Sequence, residues 1–190
     1  LGDRLEWSAT AAEIEAALAV TLLAPMPPLL FMGEEWGART PFPFFCDFQG
    51  DVAEAVRVGR RKEFAEAYAE HGEEIPDPVD ETTLDLARID WEAAGRPPGQ
   101  ARLKLVRDLL AVRRREIVPR LVGNQFGTAE TSAAGLLSAN WRMGDGRRLS
   151  LTANLSDQDI AVGRTEDGTT IWGGELNGSL PPWTVSWRIE

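Results

Sequence analysis

The spacing of apolar residues changes character twice along this chain. Thr10 followed by Glu13 has the form of a capping box. Behind it Ile14, Leu18 and Leu22, with Ala17, recur at helical spacing, and Pro25, Pro27 and Pro28 end the helix. Leu29 to Met32 is then an apolar run long enough for one buried strand. It stops at Gly33, and Glu34, Glu35 and Trp36 follow at once. In a parallel α/β sheet or barrel, a strand end of this kind faces the active site. The segment therefore reads as one wall of a binding site.

Residues 38 to 50 have no clear period. Pro41 and Pro43 break the phenylalanines Phe42, Phe44 and Phe45 into an ordered aromatic loop. A helix is expected from about Asp51 to Tyr68, with Val52, Ala55, Val56 and Phe64 on one side and Gly59 as its weak point. Residues 70 to 99 read mostly as loop. A strong helix follows from about Gln100 to Val118, with Leu103, Val106, Leu109, Leu110 and Ile117 as its apolar face, and Pro119 stops it.

After Leu121 the period shortens. Gly135 to Met143 and Arg147 to Leu155, joined by Gly144-Asp145-Gly146, predict a hairpin. Gln158 to Val162, Thr169 to Trp172 and Thr184 to Ile189 continue the short-strand rhythm. The fold class expected is α/β followed by all-β. Residues 1–121 read as the end of a larger α/β barrel, and residues 122–190 as an antiparallel β-sandwich domain. The chain begins with Leu, which suggests a piece of a longer protein.

Composition narrows the partners. A formal net charge of −10 argues against nucleic acid and against an anionic membrane surface. The runs Arg60-Arg61-Lys62 and Arg113-Arg114-Arg115 are brief and lie among carboxylates, so they read as solvated faces or ion pairs. Cys46 is the single cysteine, which excludes an intrachain disulfide and fits a reducing compartment. No apolar run approaches the ~20 residues of a membrane span, and no signal peptide is visible. A cytoplasmic location is expected. The sequons at Asn154 and Asn177 read as chance.

Glu34, Glu35 and Trp36 are the candidate substrate-binding residues. Two carboxylates that flank a glycosidic bond stand about 5 Å apart or more, on either side of the sugar. Adjacent residues in an extended segment point to opposite faces, so this pair is no catalytic dyad. Two readings of the trio stay open. A carboxylate accepting from sugar hydroxyls beside an indole face would bind a saccharide. Alternatively, the glutamates pair with Arg39 or Arg4 and hold the loop. The phenylalanines read as rim packing or as a sugar subsite, and Asp47 as a helix cap, an arginine partner or a substrate contact. Trp141, Trp172, Trp183 and Trp187 sit at strand positions and read as β core. His71 reads as an exposed loop residue.

The run from Leu29 to Gly37 resembles the eighth barrel strand of α-amylase-type glycoside hydrolases. The stretches Pro43 to Phe48, Ala53 to Arg57 and Gly59 to Phe64, with Leu180-Pro181-Pro182-Trp183 as a closing strand, narrow this. In that order they resemble the malto-oligosyltrehalose trehalohydrolase family. The resemblance implies the last strand and helices of a (β/α)8 barrel plus a C-terminal β domain. It implies hydrolysis of the α-1,4 bond beside the terminal trehalose of malto-oligosyltrehalose, releasing trehalose. It also implies a pathway link to malto-oligosyltrehalose synthase and no metal or organic cofactor. The family's three catalytic carboxylates would fall before residue 1, so Asp3 is not one of them, and the isolated chain is expected to be inactive. Two alternatives remain: a non-catalytic carbohydrate-binding or scaffolding module built on the tryptophan-rich tail, and the terminus of a glycogen branching enzyme.

Overall fold

The computed structural model describes residues 2–71, 75–132, 134–163 and 168–190. Helices fill the first part of the chain: α1 (Leu5–Ser8), α2 (Ala11–Leu23), α3 (Gly50–Glu63), α4 (Ala65–His71), α5 (Glu81–Leu86) and α6 (Gly99–Val112). Strands fill the second: β1 (Gln125–Thr131), β2 (Leu136–Arg142), β3 (Arg148–Asn154), β4 (Ile160–Ala161), β5 (Thr169–Trp172), β6 (Ser179–Leu180) and β7 (Val185–Ile189).

The expected capping box is in place at α2. Thr10 Oγ1 accepts from the Glu13 amide at 3.4 Å, and Glu13 Oε2 accepts from the Thr10 amide at 2.5 Å. The other end of α2 is closed from far away in sequence. A helix leaves its last carbonyls without partners. Here the Arg113 guanidinium donates to the carbonyls of Leu22, Ala24 and Met26 at 2.9, 2.6 and 2.6 Å. Arg113 is therefore buried, which corrects its reading as part of a solvated run. Burial pushes its pKa down, yet a guanidinium bonded to three carbonyls stays charged.

β1, β2, β3, β7 and β5 form one five-stranded antiparallel sheet in that order, and β4 pairs with β6 in a separate two-stranded ribbon. The hairpin β2–β3 and strands β4, β5 and β7 fall where alternation predicted them. Ala139 and Trp141 of β2, Leu149, Leu151 and Ala153 of β3, and Val185, Trp187 and Ile189 of β7 are all buried. Their register aligns them across the strands, with Leu151 opposite both Ala139 and Trp187. α2 and α6 cover this face, and all of these residues belong to one apolar cluster. Trp187 is its centre: fully buried, stacked on Trp141 at 5.6 Å, and donating its indole N–H to the Ala19 carbonyl at 3.1 Å. The layer that packs on the sheet is thus helical rather than a second sheet, which corrects the sandwich.

Four further expectations change. Leu29 to Met32 is not a buried strand: it lies outside every ladder, and Leu29 is 90 % exposed. A buried strand needs neighbours on both edges to satisfy its backbone, and none of the described strands lies beside it. The 51–68 helix is two helices that meet at Phe64, while Gly59 sits inside α3 with open space around it. The 70–99 loop holds α5 and a 3₁₀ turn, Trp91–Gly95. His71 closes α4 rather than lying in a loop, and the exposure expected of its side chain falls outside the described residues. The edge strand β1 carries no alternation that predicts it, and the closing strand implied at Leu180–Trp183 is the two-residue ribbon strand β6, Ser179–Leu180.

Candidate functional site

Residues 33–38 form a tight turn, and its residue types explain it. Gly33 and Gly37 take φ of 92° and 70° at the two ends of the 3₁₀ turn Glu34–Trp36. Such angles favour glycine. The Ala38 amide donates to the Gly33 carbonyl at 2.8 Å, and a Cβ on Gly33 would lie 2.6 Å from that of Ala38. Both glutamates fold back on the turn. Glu34 Oε2 accepts from the Phe31 amide, and Glu35 Oε2 from the Gly33 amide, each at 2.9 Å. Neither pairs with Arg4 or Arg39, as the second of the two readings had it; backbone amides take that place. Trp36 is 5 % exposed and packs on Trp91 at 5.3 Å between ring centres. Its indole N–H has no hydrogen-bond partner among the described residues.

Glu34, but not Glu35, borders an open hollow of about 330 Å³ shared with Asp3, Arg4, Ser8, Phe31 and Phe42. Arg4 ties this wall together. Its Nε donates to the Thr40 carbonyl at 2.7 Å and its Nη1 to the Met32 carbonyl at 2.8 Å. Its guanidinium lies 4.9 Å from the centre of the Phe31 ring, and Phe31 meets Phe42 edge-on at 5.0 Å. Behind the turn, Arg102 of α6 pairs with Glu6 at 3.4 Å, with both side chains nearly buried. The hollow is lined by the carboxylates of Asp3 and Glu34, the Arg4 guanidinium, the Ser8 hydroxyl and two phenyl rings. That set suits a neutral, hydroxyl-rich ligand. Reading Arg4 only as a possible ion-pair partner missed its role, because its two carbonyl acceptors lie 28 and 36 residues away.

The aromatic loop packs on itself and on α3. Phe42 meets Phe45 at 5.6 Å, and the Arg60 guanidinium sits between Phe44 and Phe64 at 4.5 and 4.1 Å. Asp47 is exposed, and no side chain caps α3. Of the four tryptophans expected at strand positions, Trp141 and Trp187 are buried and Trp172 is half-buried in β5, while Trp183 is half-buried in the turn between β6 and β7 at φ 53°, which corrects its strand placement. Asn154 is fully buried and donates to the carbonyls of Gln158, Leu180 and Pro181 at 2.7, 2.8 and 3.0 Å. Its sequon is a structural amide. Among the described residues no three metal-ligating side chains gather, and no helix is long and apolar enough to cross a membrane.

Residues 124–187 match a family described as a domain of unknown function, DUF3459. The chain is 42 % identical over 172 residues to a malto-oligosyltrehalose trehalohydrolase from Deinococcus radiodurans, covering 90 % of this chain and 28 % of that protein. A malto-oligosyltrehalose trehalohydrolase from Brevibacterium helvolum is 34 % identical over 194 residues, covering 97 % of this chain and 32 % of that one. A crystal structure from Salmonella typhimurium, provisionally described as an alpha amylase, superposes with a TM-score of 0.84 at 36 % identity. It covers 98 % of this chain and 32 % of its own. A trehalulose synthase structure shares the fold, with a TM-score of 0.55 at 18 % identity over 94 % of this chain and 38 % of that one. The chain therefore spans about 30 % of the length of its curated relatives, and the family resemblance read from its motifs is shown.

Proposed function

We propose that this relative of the malto-oligosyltrehalose trehalohydrolases is the C-terminal portion of such an enzyme. In that role residues 1–121 complete the (β/α)8 catalytic barrel and 122–190 form the β domain that supports it. The whole enzyme hydrolyses the α-1,4 bond beside the terminal trehalose and draws its substrate from malto-oligosyltrehalose synthase, in the cytoplasm. The catalytic carboxylates lie outside this chain, which is inactive alone. The exposed apolar segment Leu29 to Met32 supports the barrel assignment, since it has the sequence of a buried strand and no partner strand among the described residues.

One observation carries the substrate reading: Glu34 borders the hollow with Asp3, Phe31 and Phe42. Glu34 has one carboxylate oxygen engaged with the Phe31 amide, so its second remains for a sugar hydroxyl. Glu35 and Trp36 support it from behind, the first by fixing Gly33 and the second by filling the space under the turn. In the full-length enzyme, Glu34→Gln should raise KM for malto-oligosyltrehalose about tenfold, or ~1.4 kcal/mol, with kcat retained. An unchanged KM would remove Glu34 from the substrate contacts. The reading as a sugar-binding module built on the β tail finds no exposed tryptophan there to support it.

A further inference from the structure

Arg4 is only 5 % exposed. Burying a charge is costly unless it is hydrogen-bonded, and its acceptors show what this one does. The carbonyls of Met32 and Thr40 take hydrogen bonds from Nη1 and Nε at 2.8 and 2.7 Å. These two residues stand on either side of the turn 33–38, which the Ala38 amide closes on the Gly33 carbonyl. One guanidinium therefore clamps both ends of the turn that carries Glu34. The same segment adds a third tie, because the Gly2 carbonyl accepts from the Phe42 amide at 2.7 Å.

The clamp reaches Glu34 through Phe31. The Arg4 guanidinium lies over the Phe31 ring, 4.9 Å from its centre. The Phe31 backbone in turn holds Glu34 twice. Its amide donates to Glu34 Oε2 at 2.9 Å, and its carbonyl accepts from the Glu34 amide at 3.0 Å. Guanidinium, ring, backbone and carboxylate thus form one relay to the wall of the hollow. An arginine suits this place better than a lysine. Its planar fork fixes two acceptors in one geometry and stacks on an aromatic face, whereas an ammonium is a point charge on a flexible stem. The two hydrogen bonds also end on neutral carbonyls, so they leave the Glu34 carboxylate to a ligand.

We propose that Arg4 is a positioning residue for substrate binding. It holds Phe31 and the turn 33–38 so that the Glu34 carboxylate meets the substrate in one fixed orientation. The inference rests on the reading of Glu34 as a substrate contact and adds the residue that aims it. A carboxylate already held in place loses little freedom when a ligand binds, so loss of Arg4 weakens binding rather than the bond-breaking step.

Trehalose release by the full-length enzyme tests this in a double-mutant cycle of Arg4 and Glu34. Arg4→Met should raise KM for malto-oligosyltrehalose about tenfold with kcat retained, the pattern of lost binding. Arg4→Lys, which keeps the charge but not the fork, should raise it about threefold. In the Glu34→Ala background Arg4→Met should add less than about twofold, because the carboxylate it aims is already gone. Thermal unfolding of each variant reads folding separately, and if Arg4→Met does not fold, Arg4→Lys runs the same cycle. An unchanged KM in the folded Arg4 variant would overturn the proposal. So would losses that multiply in the double variant, the result expected of a general structural role. Glu34→Ala alone reads the substrate contact. An unchanged KM there removes that contact and the relay with it, whereas a raised KM with multiplying losses removes the relay only.

Discussion

Two side chains far from the substrate wall carry much of the fold's specificity. Asn154 satisfies three carbonyls with one amide and accepts from Ser156 through Oδ1. Replacing it with Ala leaves the buried Leu180 carbonyl unpaired, at ~1–3 kcal/mol, and takes a donor from the part-buried carbonyls of Pro181 and Gln158, the second of which keeps the Ser156 hydroxyl. Asn154→Ala should therefore lower stability by about 3 kcal/mol, read as a shift in denaturant midpoint at constant slope. Arg113→Met strips the guanidinium from the end of α2 and should cost a similar ~3 kcal/mol. Little of this was legible in the sequence. Asn154 looked like a chance sequon and Arg113 like one of three equivalent surface arginines, because their partners lie in other elements. Glu34, Glu35 and Trp36 were legible as a candidate wall because two carboxylates and an indole follow directly on an apolar run; the turn they form was not, because the segment read as extended. Which glutamate faces the hollow was not, because a 3₁₀ turn does not keep the strand alternation that the sequence suggested.

Among the elements, α2 was read almost whole. Its capping box, apolar stripe and proline stop are all local signals, and local signals survive without tertiary context. The box also makes a pH-dependent contribution. The Thr10 backbone amide, and then the Thr10 side chain, hold the Glu13 carboxylate below the usual range. A depressed folded pKa stabilises the protein above the unfolded value of about 4.3. That contribution is lost as pH falls through the folded value. Wild type should lose stability on acidification from pH 5 to pH 3, and Glu13→Gln should lose less over the same interval in parallel urea titrations. Equal losses would mean that the box does not form in solution. The 29–32 segment is the opposite case. Its composition is that of a buried strand, but a strand is defined by partners, and alternation or apolarity in one segment cannot supply them. β1 escaped detection for a related reason: it is an edge strand exposed along its length, with no buried face to impose a period of two.

For the whole molecule, helices and sheet share one core. Ile14, Leu22 and Leu109 pack in the same cluster as Leu149 and Trp187. The boundary near residue 121 that the change of pattern suggested marks a change of secondary structure, while the apolar packing runs straight across it. Cutting the chain there removes the sheet face that α2 and α6 bury, so the isolated segment 1–118 should be poorly soluble and show no cooperative unfolding. A sharp thermal transition from a monomeric 1–118 fragment would contradict that. On the proposed function, this chain supplies one wall of a glucan site and none of its bond-breaking carboxylates. The direct test is trehalose release from malto-oligosyltrehalose by the 190-residue chain alone, beside the same chain within the full-length enzyme. Release is expected only from the full-length enzyme; turnover by the 190-residue chain would show that bond-breaking carboxylates lie within it.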